Sequence, residues 1–239
     1  MDKITASKLI ELNLQFYQTF GKDFSATRGR LQPGVRRILD GLDGTERILD
    51  LGCGNGELAR ELARRGHRGS YLGLDFSLPL LQAAASRLES FSAKFTQVDI
   101  TSADWDSDLS GYSFDIIYFF AVLHHIPSES IRLRLSKKIH RLLTPGGRFI
   151  LSNWQFLNSD KLKARIQGWE MAGLSPAQVD EDDYLLDWRS GGTGLRYAHH
   201  FSEAELGTLA LMTQFRVCET FYSDGHNHKL GLYQIWEAR

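Results

Sequence analysis

Short apolar runs and segments of helical periodicity alternate along most of this chain. The apolar runs are typical of buried strands, and the segments between them repeat apolar residues every third or fourth position, as amphipathic helices do. The predicted strands cover 47–51, 71–75, 94–98, 114–123 and 148–152, and the predicted helices between them cover 57–63, 78–91 and 131–143. This alternation predicts an α/β fold with a doubly wound, mostly parallel sheet that helices cover on both faces.

The segments before and after this pattern, and one long insertion, complete the prediction. Helices are predicted at 4–20 and 35–42, and a helix at 203–213 precedes strands at 215–222 and 230–237. The last two strands predict an antiparallel hairpin at the sheet edge, so that five strands and this pair make seven. Residues 153–201 are too many for a simple loop and too aromatic for disorder. We therefore expect one domain over 1–239, with 1–44 as an N-terminal lid and 153–201 as a cap that shapes the substrate pocket.

The most distinctive stretch is the turn between the first strand and the helix after it. Asp50 ends the strand, and Gly52, Cys53 and Gly54 follow it within a G-x-G-x-G pattern. Glycines let the backbone turn tightly and approach a ligand, which then meets the unpaired N–H groups of the helix N-terminus. The acid directly before the turn suits a ligand with an ammonium group rather than a pyrophosphate.

Two further acids end the neighbouring predicted strands. Asp75 lies at the end of the second strand, where a carboxylate can accept hydrogen bonds from both hydroxyls of a ribose. Asp99 follows the third strand, where an acid can bind the exocyclic amine of a purine. A dinucleotide-binding site is the weaker interpretation, because its fingerprint has the spacing G-x-G-x-x-G.

With these residues, the chain resembles the class I S-adenosylmethionine-dependent methyltransferases, whose Rossmann-like sheet ends in an antiparallel hairpin strand. The resemblance implies S-adenosyl-L-methionine as the cofactor. It places the methionine part near the glycine turn, the ribose at Asp75, and the adenine at Asp99 and Ile100. The implied cofactor-binding residues are Arg28, Asp50, Gly52, Cys53, Gly54, Asp75, Phe76, Asp99, Ile100 and Ala121.

Further segments resemble a narrower group, the methyltransferases that esterify 5-carboxymethyluridine at the wobble position of tRNA. Segment 16–28 is similar to that family's opening, which ends in Thr-Arg, and 121–126 is similar to its Ala-Val-Ile-His-His stretch. Segments 141–148, 183–188 and 196–201 are similar to its Pro-Gly-Gly turn and to two motifs of its cap. The resemblance implies tRNA as the partner and a carboxylate of the modified uridine as the methyl acceptor. Some members of that family also need a small zinc-binding activator subunit.

The acceptor decides which side chains the reaction needs. A carboxylate is already ionised at pH 7, so it needs a cation or hydrogen-bond donors to orient it and no general base. Arg189, Arg196 and His199 of the cap are candidates for that role. A phenol, hydroxyl or amine would need a base, for which His124 and His125 at the end of the fourth strand are suited. The candidate catalytic residues are His124, His125, Arg196 and His199.

The charge, the cysteines and the apolar runs of the chain bear on its partners and its location. A net charge of −1 gives no general attraction to nucleic acid or membranes. Basic residues cluster in the predicted helix at 131–143, where they form either a track for RNA phosphates or a solvated helix face. The two cysteines are isolated, which suits a reducing compartment, and no metal-ligand spacing occurs. No apolar run reaches the length of a membrane span and no signal peptide is recognisable, so we expect a cytoplasmic protein without a membrane partner.

Two alternatives stay open on the sequence alone. A small-molecule O-, N- or carboxyl methyltransferase of the same fold is favoured by the near-neutral charge and the aromatic cap. A non-catalytic cofactor-binding protein is disfavoured by the complete set of glycines and acids.

Overall fold

The computed structural model describes residues 1–26, 30–86 and 91–239 and is built on one large twisted sheet. The strands of the chain are β1 (Ile48–Leu51), β2 (Tyr71–Asp75), β3 (Ala93–Gln97), β4 (Phe114–Phe120), β5 (Leu143–Trp154), β6 (Ile166–Gln167), β7 (Asp183–Trp188), β8 (Gly194–His199), β9 (Phe215–Ser223) and β10 (Gly231–Ala238). The large sheet has seven strands in the order β3-β2-β1-β4-β5-β10-β9. Its first five strands are parallel, and β10 runs antiparallel to both β5 and β9. The predicted sheet, with its antiparallel hairpin at one edge, is confirmed.

Helices cover this sheet and precede it in the chain. They are α1 (Lys3–Ala26), α2 (Pro33–Leu39), α3 (Glu57–Arg64), α4 (Leu78–Ala85), α5 (Glu129–Arg141), α6 (Asp160–Lys163) and α7 (Glu203–Met212). In α3 the apolar residues Leu58, Ala59 and Leu62 are buried, while Arg64 lies on the exposed side, as its amphipathic pattern predicts. No helix within the described ranges combines the length and the hydrophobicity that crossing a bilayer requires.

Alternate residues of the central strands pack on opposite faces of the sheet. On one face Leu49 and Phe119 belong to a buried cluster that includes residues of α5 and α7. On the other face Ile48 and Tyr118 belong to a cluster that includes residues of α2 and α3. Since both faces of β1 and β4 are covered, these strands are apolar throughout most of their length rather than alternating.

Some boundaries differ from the predicted ones. Strand β4 ends at Phe120, because Ala121 has a positive φ of 56° and Leu123–His125 form a short 3₁₀ turn instead of more strand. Strand β5 begins at Leu143, which pairs with Phe114 ahead of a register shift, and so takes residues predicted for a turn. Helix α4 ends at Ala85, and residues 87–90 of the longer predicted helix lie outside the described part.

The insertion at 153–201 contains a second sheet of three antiparallel strands, in the order β6-β7-β8. In this cap sheet Asp183 pairs opposite His199, and Leu186 opposite Arg196. Helix α1 is joined to β8 by Asn13, whose side-chain oxygen accepts from the Tyr197 N–H at 2.8 Å and whose amide donates to the Tyr197 carbonyl at 3.1 Å. The N-terminal helix and the inserted cap therefore meet beside the carboxyl ends of the central strands.

Candidate active site

A cavity of about 340 Å³ lies at the carboxyl ends of the parallel strands, under α1. Its cofactor side is formed by the turn after β1 and by the ends of β2 and β3, from Asp50 to Thr101. Its acceptor side is formed by residues of α1, by 121–126, by 152–154 and by Arg196 of the cap sheet. The predicted site residues that line the cavity are Asp50, Gly52, Cys53, Gly54, Asp75, Phe76, Asp99, Ile100, Ala121, His124, His125 and Arg196.

The glycine turn shapes the wall of the cofactor side. Gly52 and Gly54 have φ values of 76° and 55°, in the left-handed region that glycine adopts without strain. A Cβ atom on Gly52 would also lie 2.4 Å from the side chain of Val122, so the close approach of these two segments requires glycine. The Gly54 N–H donates to Asp75 Oδ2 at 2.9 Å, which ties the turn to the end of the next strand.

Asp50 is a buried carboxylate with one hydroxyl partner. It is 3% exposed, and its Oδ2 accepts a hydrogen bond from the hydroxyl of Tyr71. Burial raises the pKa of Asp50 to about 7, against the opposing effect of the Tyr71 hydrogen bond, and nearby Asp75 adds to the rise. A cationic group in the cavity would stabilise the ionised form, as the ammonium of S-adenosyl-L-methionine would do.

Asp75 and Asp99 occupy the positions predicted for ribose and adenine recognition. Asp75 accepts from the N–H of Ser77 at 2.8 Å as well as from Gly54, and burial raises the pKa of its carboxyl. A carboxylate has about four acceptor positions, so Asp75 keeps acceptor capacity for a ribose hydroxyl beside its backbone partners. Asp99 accepts from the N–H and hydroxyl of Thr101 at 2.9 and 2.6 Å through one oxygen, which leaves the other to face an adenine amine. These donor and acceptor types fit the cofactor that the sequence predicts.

The two histidines after β4 lie on the acceptor side and have different surroundings. His125 Nδ1 lies 2.9 Å from the Tyr197 carbonyl, which only accepts, so Nδ1 carries the proton. In the neutral ring, Nε2 then accepts from the Tyr17 hydroxyl at 2.8 Å. His124 is 1% exposed, and its Nδ1 accepts from the Trp154 N–H at 3.3 Å. His125 therefore has the Tyr17 hydroxyl as a hydrogen-bond partner in the cavity.

Arg196 brings a buried positive charge to the acceptor side. It is 3% exposed, and its guanidinium carbon lies 5.3, 4.6 and 5.5 Å from the ring centroids of Phe16, Trp154 and Trp188. Such cation–π contacts help to hold the planar guanidinium in place. A cation that is fixed in this way favours an anionic or electron-rich acceptor.

The other predicted site residues lie elsewhere. His199 does not line the cavity, because both of its ring nitrogens face carboxylates, Asp183 at 2.7 Å and Glu205 at 2.8 Å. Arg189 is exposed and pairs with Asp187 at the outer end of the cap sheet. Arg28 lies outside the described residues.

The basic residues of α5, which the sequence left open between an RNA track and a solvated helix face, differ in their surroundings. Arg132 is 3% exposed, Lys138 and Arg141 pair with Asp106, and Arg134 donates to the Thr101 carbonyl at 2.8 Å. Arg132 and Lys138 are therefore engaged within the protein, whereas Arg134, Lys137 and Arg141 are exposed.

Two residues of the site were missed from the sequence. Tyr17 and Asn13 belong to α1, and the apolar pattern of that helix gave no reason to select either of them. Asn13 could have been identified because it is a single amide in an otherwise apolar stripe of the helix, where a buried polar group needs specific partners.

Comparisons with known proteins agree with this geometry. A family model described as "Methyltransferase domain" matches residues 49–149. A putative methyltransferase of Encephalitozoon cuniculi is 31% identical over 206 residues, which cover 86% of this chain and 87% of that protein. A probable tRNA methyltransferase 9B of Bos taurus is 28% identical over 138 residues, 58% of this chain and 28% of the bovine protein. A crystal structure of a SAM-dependent methyltransferase from Methanosarcina mazei has 24% identity and a TM-score of 0.64, over 87% of this chain and 98% of that one.

Proposed function

Since this chain belongs to the class I methyltransferases and uses S-adenosyl-L-methionine as its cofactor, we propose that it methylates a carboxylate of a modified tRNA wobble uridine, of the 5-carboxymethyluridine type. The observation that carries this proposal is the buried guanidinium of Arg196 on the acceptor side. A guanidinium can bind both oxygens of a carboxylate in one plane, which orients the nucleophile as well as attracting it.

The surroundings of Arg196 also support a flat acceptor. Trp154 lines the cavity and stacks near the guanidinium, and aromatic rings of this kind stack on unpaired bases in RNA recognition. Arg30 lines the cavity and is exposed, so it is available to a phosphate beside the bound nucleotide. The name of the bovine relative, a probable tRNA methyltransferase, adds support for an RNA acceptor.

The residues present are suited to a direct displacement. When bound, the cofactor would supply a methyl group on a positively charged sulfur: the nucleophile would bond to the methyl carbon as the carbon–sulfur bond breaks, and the sulfur would leave as a neutral thioether. In its ionised form Asp50 pairs with the ammonium, and Asp75 and Asp99 fix the ribose and adenine. Arg196 turns a carboxylate oxygen toward the methyl group, and no general base is needed because the carboxylate is ionised at pH 7. Tyr17 and the rest of α1 cover the cavity and exclude water from the reacting atoms.

A second candidate is a small-molecule acceptor with a neutral hydroxyl or amine. The observation that favours it is the hydrogen bond between Tyr17 and His125, since the Nε2 atom of a neutral imidazole is an available base. Under this alternative the acceptor hydroxyl takes the place of the Tyr17 hydroxyl at Nε2.

The test is transfer of labelled methyl from S-adenosyl-L-methionine to bulk tRNA, compared with a panel of small acids and phenols. The proposal expects label in tRNA that mild base releases, as it releases a methyl ester. Arg196→Gln should lower kcat/KM roughly a hundredfold, because a hydrogen bond to a charged group contributes ~1.5–3 kcal/mol. Arg189→Gln is the matched control on the same cap sheet and should keep the wild-type rate.

Three outcomes contradict the proposal in different ways. Base-stable label in tRNA would exclude an ester. Label only in a small phenol or amine would favour the second candidate. Equal effects of the two arginine substitutions would remove Arg196 from the acceptor site.

A further inference from the structure

Behind the acceptor side lies a group of ionisable residues that the proposed function does not use. This charged cluster consists of Arg132, Asp183, Tyr197, His199 and Glu205, and none of the five lines the cavity. The first four are less than 9% exposed, and the Glu205 side chain is 36% exposed. The cluster joins α5, the cap sheet and α7, and so it connects the cap to the body of the protein.

The histidine of the charged cluster is held in its doubly protonated form by its partners. His199 Nδ1 lies 2.7 Å from Asp183 Oδ1, and Nε2 lies 2.8 Å from Glu205 Oε1. Carboxylates only accept hydrogen bonds, so both ring nitrogens donate and the ring carries a positive charge.

Arg132 connects the charged cluster to two parts of the acceptor side. Its Nε donates to the Ile126 carbonyl at 2.8 Å, one residue after His125. Its Nη2 donates to the Tyr197 hydroxyl at 2.9 Å, and that hydroxyl donates to Asp183 at 2.6 Å. Tyr197 follows Arg196 in β8, and its carbonyl is the acceptor of His125 Nδ1–H at 2.9 Å.

We propose that the charged cluster is a positioning device, in which Arg132 and the protonated His199 hold the Tyr197 side chain and, together with the hydrogen bonds of Asn13 to the Tyr197 backbone, fix the tautomer of His125 and its spacing from Arg196. The two functional side chains come from different segments, the turn after β4 and the cap sheet. Arg132 bonds to both segments from the side of the charged cluster, and Asn13 of α1 also bonds to both, at the His125 carbonyl and at the Tyr197 backbone. The orientation of Arg132 therefore contributes to the separation of the two segments.

When His199 loses one of its two ring protons, the hydrogen bonds that hold the charged cluster in this arrangement are no longer complete. A neutral ring has one N–H, so either Asp183 or Glu205 loses its donor. Arg132 lies 3.6 Å from Asp183 and 3.4 Å from Glu205, and it is the nearest remaining cation. Its guanidinium turns toward the uncompensated carboxylate and away from the Ile126 carbonyl and the Tyr197 hydroxyl. The Tyr197 carbonyl then keeps its hydrogen bond from Asn13 but loses the support that Arg132 gave at the Tyr197 hydroxyl, and we expect His125 to sample both tautomers.

The groups that face His199 raise its pKa, so His199 loses its proton at a higher pH than an ordinary histidine does. Burial lowers the pKa of His199, but the hydrogen bonds to Asp183 on β7 and Glu205 on α7 outweigh burial and the nearby positive charge of Arg132 on α5, so the pKa is raised. Because the folded pKa is raised, the stabilisation is complete below the ordinary value of 6.5 and is lost as pH rises through the raised value. His200, the next residue, has a lowered pKa and is neutral in that window.

The test follows the histidine rings of the full chain by nitrogen NMR, from about pH 6 to about pH 9, without any methyl acceptor. In the wild type, His199 should be doubly protonated at neutral pH, and His125 should change from one tautomer to a mixture at the pH where His199 titrates. In Glu205→Gln both events should move together to lower pH by roughly one unit, because one charged partner is gone. Glu203→Gln, in the first turn of the same helix, is the matched control and should shift neither event.

The proposal is overturned if His125 keeps one tautomer while His199 titrates, or if Glu205→Gln moves the His199 midpoint and leaves His125 unchanged. It is also overturned if His199 is neutral at pH 7. The wild-type titration alone decides between these results if the variant does not fold. Since no acceptor is present, the result is independent of whether the acceptor is a carboxylate.

Discussion

The hydroxyl of Tyr71 is the most informative single group on the cofactor side, because it donates to the buried carboxylate of Asp50. Burial raises the pKa of Asp50 to about 7, and the Tyr71 hydrogen bond prevents a larger rise. Tyr71→Phe removes the donor and leaves the carboxylate buried. Less of the protein then carries the anion that the ammonium of the cofactor needs, so we expect weaker binding at neutral pH and recovery at higher pH.

The size of this effect follows from the strength of the lost hydrogen bond. A hydrogen bond to a charged group contributes ~1.5–3 kcal/mol and one pKa unit corresponds to about 1.4 kcal/mol, so the pKa of Asp50 should rise by about 1.5 units. At pH 7 the ionised fraction falls from about one half to about 3%, and the apparent affinity falls roughly 15-fold. At about pH 8.5 the ionised fractions are about 97% and about 50%, so the loss shrinks to roughly twofold.

Calorimetric titration with S-adenosylhomocysteine at these two pH values measures the effect. Tyr118→Phe is a closely matched control, since Tyr118 lies opposite Asp50 in the neighbouring strand and its hydroxyl has no hydrogen-bond partner in the described part of the chain. The control should bind like the wild type at both pH values. A loss of the same size at both pH values, or an equal loss in the control, would refute this account of Asp50.

Three further predictions concern cofactor binding and stability. Asp75→Asn should weaken S-adenosylhomocysteine binding on the order of a hundredfold in calorimetry, because it loses charge-assisted bonds to the ribose, whereas Asp115→Asn near the start of β4 should change nothing. Gly34→Ala should lower the free energy of unfolding in urea by about 1–3 kcal/mol, since its Cβ would lie 2.4 Å from the ring of Tyr233; an unchanged midpoint would contradict this. Burial raises the pKa of Glu46, but hydrogen bonds from backbone N–H groups outweigh it and lower the pKa, so Glu46 stabilises the fold above its ordinary value of 4.5 and loses that effect as pH falls through the lowered one. Melting curves of Glu46→Gln should therefore show a smaller loss of stability in acid than those of the wild type, and identical curves would exclude this role.

The cofactor side was predictable from the sequence because its chemistry is local. Asp50 and the glycines lie within one turn, and Asp75 and Asp99 each end a strand that the apolar pattern already predicts. In a parallel sheet the ends of adjacent strands meet at one edge, so the pattern alone brings these residues together. In the structure Asp50, Gly52, Gly54, Asp75 and Asp99 all line one cavity, which agrees with that reasoning.

The acceptor side was less predictable because its geometry depends on the register of the cap sheet. Arg196 and His199 lie three positions apart in β8, and both were expected to hold a carboxylate. In the structure Arg196 lines the cavity, whereas His199 is buried between two acids. The acids that surround His199 come from β7 and α7, and no sequence pattern near His199 predicts a contact with these elements. Tyr17 was missed for the same reason, since its partner His125 is distant in sequence.

The hydrogen bonds of Asn13 to Tyr197 span 184 positions of the chain, and they have a consequence for biosynthesis. A ribosome releases the chain from its N-terminus, so α1 emerges long before β8 exists to bind it. The predicted cofactor side, from Asp50 to Thr101, is also made before the cap sheet. Arg196 of the cap sheet is made later, so a growing chain gains the predicted surface for its methyl donor before it completes the predicted surface for the molecule to be methylated.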